Sequence, residues 1–195
     1  MNMRTPESGE ISTMNEQPAT GRFAVAGELF LIVVLFFVAA GQRAPLVNES
    51  HYLARSVHFW NPDWCPGDLF LASQEAHPVF QCTVGWMSQL LSLPAYAWVS
   101  RVVGWVALAA GWMFLSRRVF GAERSGQPSW TGWHLFSVAI AVMLWDKADL
   151  AGEWVVGGCE AKVPAYVFVF FGLGNLVRGN YRYALPLFGL SLIHI

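Results

Sequence analysis

An all-α fold that crosses a membrane several times is what this sequence predicts, on three observations. Only 13% of the 195 residues are charged while 55% are hydrophobic, against about 25% and about 45–50% in an ordinary soluble domain. So few charges leave a lone globule without the polar cover that water demands. The second observation is a series of apolar runs, several of them near the roughly 20 residues that cross a bilayer as a helix. The third is aromatic content, since 10 Trp and 14 Phe are the opposite of a disordered chain's composition. A formal net charge of −1 supplies no basic field to neutralise phosphates. Nucleic acid is therefore not an expected partner, and the lipid bilayer is.

Residues 1–22, rich in Ser, Thr, Glu, Asn and Gln, read as a disordered tail, and 23–195 as a transmembrane domain. The run from Phe23 to Ala40 is apolar except for Glu28 and forms the first span. A cleaved signal peptide would carry a basic flank and a small-residue cleavage site, and neither is evident. Further spans are placed at about 94–115, 130–145 and 164–177, with a fifth at 183–195 incomplete, so the sequence reads as the N-terminal fragment of a longer protein. Two outer loops remain, 41–93 and 146–163. Arg117, Arg118 and Arg124 lie between the second and third spans. Because cytoplasmic loops collect Lys and Arg, that loop, the tail and the turn holding Arg178 and Arg182 are assigned to the cytoplasm. The expectation is an inner (plasma) membrane protein with its N-terminus inside and both long loops outside.

In the first outer loop Asn48 is placed to cap a helix starting at Glu49, and Pro62 to end it at Asn61. On that helix His51, Arg55 and His58 share a face by their i, i+4, i+7 spacing. That face either holds an anion or a metal, or is a solvated surface above the apolar Leu53, Val57 and Trp60. Residues 62–68, PDWCPGD, read as a structural corner, with acid chemistry at Asp63 or Asp68 as the alternative. From Gln74 to Leu93 a helical pattern returns, with Pro78 in its first turn. Its broad apolar face, Val79, Cys82, Trp86, Leu90 and Leu93 beside Phe80, Val84, Met87 and Leu91, suits a membrane interface.

The second outer loop carries Asp149 and Glu153 at i, i+4, then Glu160 and Lys162 beyond Gly157 and Gly158. Both flanking spans are short, so part of the loop is expected at membrane depth, buried in protein or lining a watery cavity. Ionisable groups held there are functional candidates; a surface hairpin of paired Glu and Lys is the alternative. Arg101, deep in its span, needs a partner, either an outer carboxylate or a lipid phosphate. Cys65, Cys82 and Cys159 would face an oxidising compartment in which one disulfide can form, and their spacing suits no zinc site.

The stretches NESHYLARSVHFWNPDWCPGDLFL, AGEWVVGGCEAKVPAYVFVFFGL and LVRGNYRYAL resemble the N-terminal part of a family of bacterial polytopic membrane proteins to which no activity is assigned. The resemblance covers about residues 25–190. More distantly, the chain is similar to the GT-C glycosyltransferases, which transfer sugar from a polyprenyl-phosphate carrier on the outer membrane face. That resemblance makes Glu49 the acid that follows the first span, and Asp149, Glu153 or Glu160 the acids of the loop after the third, although the family usually has Asp at the position of Glu49. It implies that Glu49, Glu153 and Glu160 are catalytic, deprotonating or orienting the acceptor, and that Glu49, Asp149 and Glu153 hold a divalent cation. His51, Arg55, His58 and Arg101 would bind the substrate by neutralising the leaving phosphate. Alanine at Glu49 would then abolish sugar transfer without lowering the protein's level. A shared site also requires Glu49 within about 15 Å of Glu153 or Glu160. The alternative is a non-enzymatic multispanning protein, transporter-like or structural, whose second loop re-enters the membrane to line a pathway.

Overall fold

A computed structural model describes residues 20–46, 48–120, 133–147 and 156–192, and all regular structure among them is helical. The tail before Thr20, the loop holding Arg124, and both Asp149 and Glu153 lie outside the described residues. Helix α1 (Thr20–Ala40) and helix α4 (Leu93–Val119) have 21 and 27 residues, about 31 and 40 Å at 1.5 Å per residue. These two are long and apolar enough to cross a membrane. A helix apolar on every side belongs inside a large core or in lipid, yet only 17% of the α1 span is buried against protein.

Over the other expected spans the described helices are shorter. Helix α5 (Trp133–Lys147) has 15 residues, α6 (Lys162–Val177) has 16 and α7 (Tyr181–Ser191) has 11, with Pro186 inside it. At roughly 16–24 Å they fall below the hydrocarbon thickness of about 30 Å. Among the described residues, two of the four expected full spans are thus helices of bilayer length.

Helix α4 is the hub. Its N-terminus is set by Ser92 in extended conformation and Pro94 in the first turn, where a missing N–H costs nothing. Arg117 and Arg118 sit in its last turn, where positive charge favours the helix dipole. Trp105, Leu108, Ala109 and Met113 of α4 form one core with Ile32, Phe36 and Ala40 of α1, Val138 of α5, and Val156, Val163 and Phe170. Gly111 and Gly174 let α4 and α6 approach closely, an added Cβ at the latter falling 2.6 Å from the Phe114 ring. Gly179, at φ +73°, turns the chain from α6 into α7.

Helices α1 and α4 run antiparallel and are clasped at both ends. Arg117 pairs with Glu28 at one end, and Arg101 donates to the carbonyl of Gln42, 2.7 Å away, at the other. The clasps are roughly 20–24 Å apart along the helices.

Between α1 and α4 stands a polar-side assembly. Helix α2 (Glu49–Trp60) begins and ends where Glu49 and Pro62 place its limits, but Asn48 is itself helical in conformation and makes no side-chain cap. The Glu49 carboxylate accepts instead from the Leu46 amide, three residues before the helix, at 2.9 Å. The single helix expected over Gln74 to Leu93 is two short pieces, α3 (Pro78–Thr83) and the 3-10 helix η1 (Gly85–Gln89). A Cβ on Gly85 would sit 2.7 Å from Gln81 Oε1 and 3.0 Å from Ser56 Oγ. Close packing of this glycine onto α2 accompanies the break in the α-helix.

Candidate functional site

The site grows from one buried ion pair. Glu49 and Arg101 have fully buried side chains, and the pair is bidentate: Arg101 Nε donates to Oε1 at 2.8 Å and Nη2 to Oε2. The Cys159 amide also donates to Oε1 at 2.8 Å, and the Leu46 amide to Oε2. An ionised carboxylate offers about four acceptor positions, and donors from three separate segments fill all of them. Arg101 spends its remaining face on the Gln42 carbonyl and lies 5.1 Å over the Trp98 ring. Of the two kinds of partner open to Arg101, it is a carboxylate, Glu49, that the structure supplies.

Glu49 thereby holds the second loop in place. Residues 156–163 are buried without interruption, and the Trp105 indole donates to the Gly157 carbonyl at 3.3 Å. A Cβ on Gly158 would stand 2.6 Å from Glu49 Cδ, so this glycine is what lets the carboxylate touch the loop backbone. Glu160 follows at once, its Cα within about 8 Å of Glu49 Oε1 by chain geometry. Its carboxylate pairs with Lys162 at 3.0 Å, both side chains being nearly inaccessible. This is a buried pair rather than a surface hairpin.

Beside this polar end runs a groove of about 150 Å³ between α4 and α6, floored by α3 and η1. Phe80, Val84, Val103, Ala107, Val167 and Phe168 line it, and Ser100, Cys159 and Glu160 close one end.

On the face of α2 bearing His51, Arg55 and His58, the latter two are engaged by protein while His51 stays exposed beside Phe70. Arg55 donates to the Phe70 carbonyl at 2.8 Å, the Gln74 carbonyl at 3.2 Å and Ser73 Oγ, pairs with Glu75 at 3.6 Å, and lies 4.3 Å over the Phe70 ring. His58 Nδ1 donates to the Trp64 carbonyl at 3.0 Å, and His51 rests on Phe70. These three residues fasten loop 61–75 to the helix; they do not converge with Arg101. Arg55→Ala is expected to cost about 1–2 kcal/mol through lost charge-assisted bonds. It should raise amide exchange over residues 68–76 at least tenfold while leaving α4 unchanged.

Sequence reasoning left out a second buried polar chain. Ser56 Oγ donates to the Tyr52 carbonyl and lies 2.7 Å from Gln81 Oε1 and 3.0 Å from the Tyr96 hydroxyl, which in turn meets Cys159 Sγ at 3.7 Å. Its one visible signal was polar residues recurring on the otherwise apolar side of α2. The three cysteines are free, Cys65 and Cys82 exposed and Cys159 buried, so no disulfide is formed. Burial pushes the Cys159 thiol up to about 11, leaving about one part in ten thousand as thiolate at pH 7. Maleimide should therefore modify Cys65 readily and Cys159 only after denaturation, read by intact mass. Among the described residues no three His, Cys, Asp or Glu side chains gather as a metal site would need. No protein-family model, curated protein or solved structure matches the chain.

Proposed function

We propose that this chain is a multispanning integral membrane protein whose outer face takes a lipid-linked substrate, in the manner of a GT-C-like enzyme using a polyprenyl-phosphate sugar donor. The groove between α4 and α6 carries the reading, because it is apolar along its walls and polar at one end, the division found in a long-chain phosphate ester. Two helices of bilayer length and an α1 surface largely uncovered by protein support the membrane setting. In such a transfer an acceptor oxygen attacks the anomeric carbon, the bond from that carbon to the phosphate oxygen breaks, and the acceptor proton leaves to a carboxylate. Glu160, at the closed end of the groove, is the carboxylate for that proton, and Lys162 beside it is the cation nearest the departing phosphate. Glu49 does not fit a cation's coordination shell while protein donors fill its oxygens.

A photoreactive isoprenyl phosphate, offered to the full chain in phosphatidylcholine nanodiscs, should crosslink within residues 103–107 and 163–168. Unlabelled polyprenyl phosphate should compete, and Ala107→Phe, which fills the groove, should reduce crosslinking at least about tenfold, the equivalent of 1.4 kcal/mol. Labelling that ignores Ala107→Phe overturns the reading. The saturation of Glu49 favours a second one, a non-enzymatic carrier or structural protein. Crosslinking that persists without sugar transfer selects it.

A further inference from the structure

Residues 78–100 contain no Asp, Glu, Lys or Arg. Over α3 and η1 the inward side is already used, since Phe80, Val84, Met87 and Leu91 pack with Leu53, Tyr96 and Ala97. The outward side is apolar as well and uncovered: Val79 is 45% exposed, Trp86 48%, Leu90 68% and Leu93 39%, with Cys82 exposed among them. This surface passes without a break in the chain into the exposed Val99, Val102, Val103 and Val106 of α4, the helix with the length and composition to enter a bilayer.

Helix α2 divides the assembly into layers. Its Leu53, Ser56 and Trp60 meet the 78–91 segment, the Trp60 indole donating to the Gln81 carbonyl at 2.9 Å. Its His51, Arg55 and His58 meet the loop that carries Asp63, Asp68 and Glu75. The charged loop therefore lies on one side of α2 and the exposed apolar surface of residues 78–93 on the other, the ion pairs Glu49–Arg101 and Glu160–Lys162 being buried. A soluble protein partner on so large an apolar face would leave the adjoining α4 surface unexplained, whereas one lipid leaflet covers both.

We propose that the outward face of residues 78–93 lies in the headgroup–acyl boundary of the leaflet that α4 enters, as an in-plane shelf, with loop 61–75 held in water above it. The proposal rests on α4 crossing the bilayer, and the test reads the two separately. Two native cysteines sample the two layers, Cys82 in the shelf and Cys65 in the loop. Nitroxides would be placed at each in turn, the other being changed to Ser, and also at Trp86→Cys and Val103→Cys. The full chain is used in vesicles of phosphatidylcholine and phosphatidylglycerol. At residues 82 and 86 collision with oxygen should exceed collision with a water-soluble nickel chelate at least about threefold, with the order reversed at residue 65. Oxygen-rich behaviour at 103 with nickel-rich behaviour at 82 and 86 overturns the shelf while leaving the membrane span intact. Exclusion of both reagents at 82 and 86 means that protein covers the face, and overturns it too. Nickel-rich behaviour at 103 as well removes the span on which the proposal stands.

Discussion

Glu49→Ala is expected to lower the unfolding free energy by about 3–5 kcal/mol, the usual cost of leaving one member of a buried ion pair alone. Arg101, 1% exposed, would keep its charge with only the Gln42 carbonyl and the Trp98 face beside it. The amides of Cys159 and Leu46 would lose their acceptor as well. Steady-state abundance and the melting temperature in detergent should both fall. That is the reverse of what a purely catalytic Glu49 implies, where activity disappears and the level holds. Pairing Glu49→Ala with Arg101→Met removes the isolated charge, so the double variant should lose about 2 kcal/mol less than the sum of the singles. Strict additivity would show that the pair contributes nothing as a pair.

Gly158→Ala should do nearly the same damage by a different route, on the order of 3 kcal/mol. The new methyl would stand 2.6 Å from Glu49 Cδ and 2.8 Å from both its Cβ and Oε1. Glu49 is held by four donors and cannot swing aside, so either the carboxylate leaves Arg101 or the loop moves off the Cys159 amide bond. Gly189→Ala is the control, because nothing lies within 4 Å of a Cβ there and alanine suits a helix interior by up to about 1 kcal/mol. In the Glu49→Ala background, Gly158→Ala should add less than about 0.5 kcal/mol. Thermal melting of the four variants decides it. Equal losses from Gly158→Ala with and without Glu49 would show that the glycine matters for some other contact.

The limits of helix α2 were readable, Asn61-Pro62 ending it as expected, while its start at Glu49 was found through an Asn48 cap that is not made. The far end of α4 was not, since Arg117 and Arg118 end an apolar run without ending a helix, and α4 continues to Val119. The break at Gly85 comes with close packing onto Ser56 of α2, a contact that lies outside any window along residues 74–93. At the site, the demand was legible and the answer was not. An arginine inside an apolar stretch must find a counter-charge, but which carboxylate supplies it is fixed by a contact 52 residues away. The face of His51, Arg55 and His58 shows the converse. Periodicity displayed it as free for a ligand, and the chain's own loop came back to occupy it.

Every clasp described above joins a residue made early to one made much later. Glu28 waits 89 residues for Arg117, and Glu49 waits 52 for Arg101 and 110 for the Cys159 amide. At about 5–20 residues per second on the ribosome, the first of these delays lasts roughly 4–18 s. Throughout that interval the Glu28 carboxylate has its arginine still unmade, so water must solvate it until translation delivers Arg117.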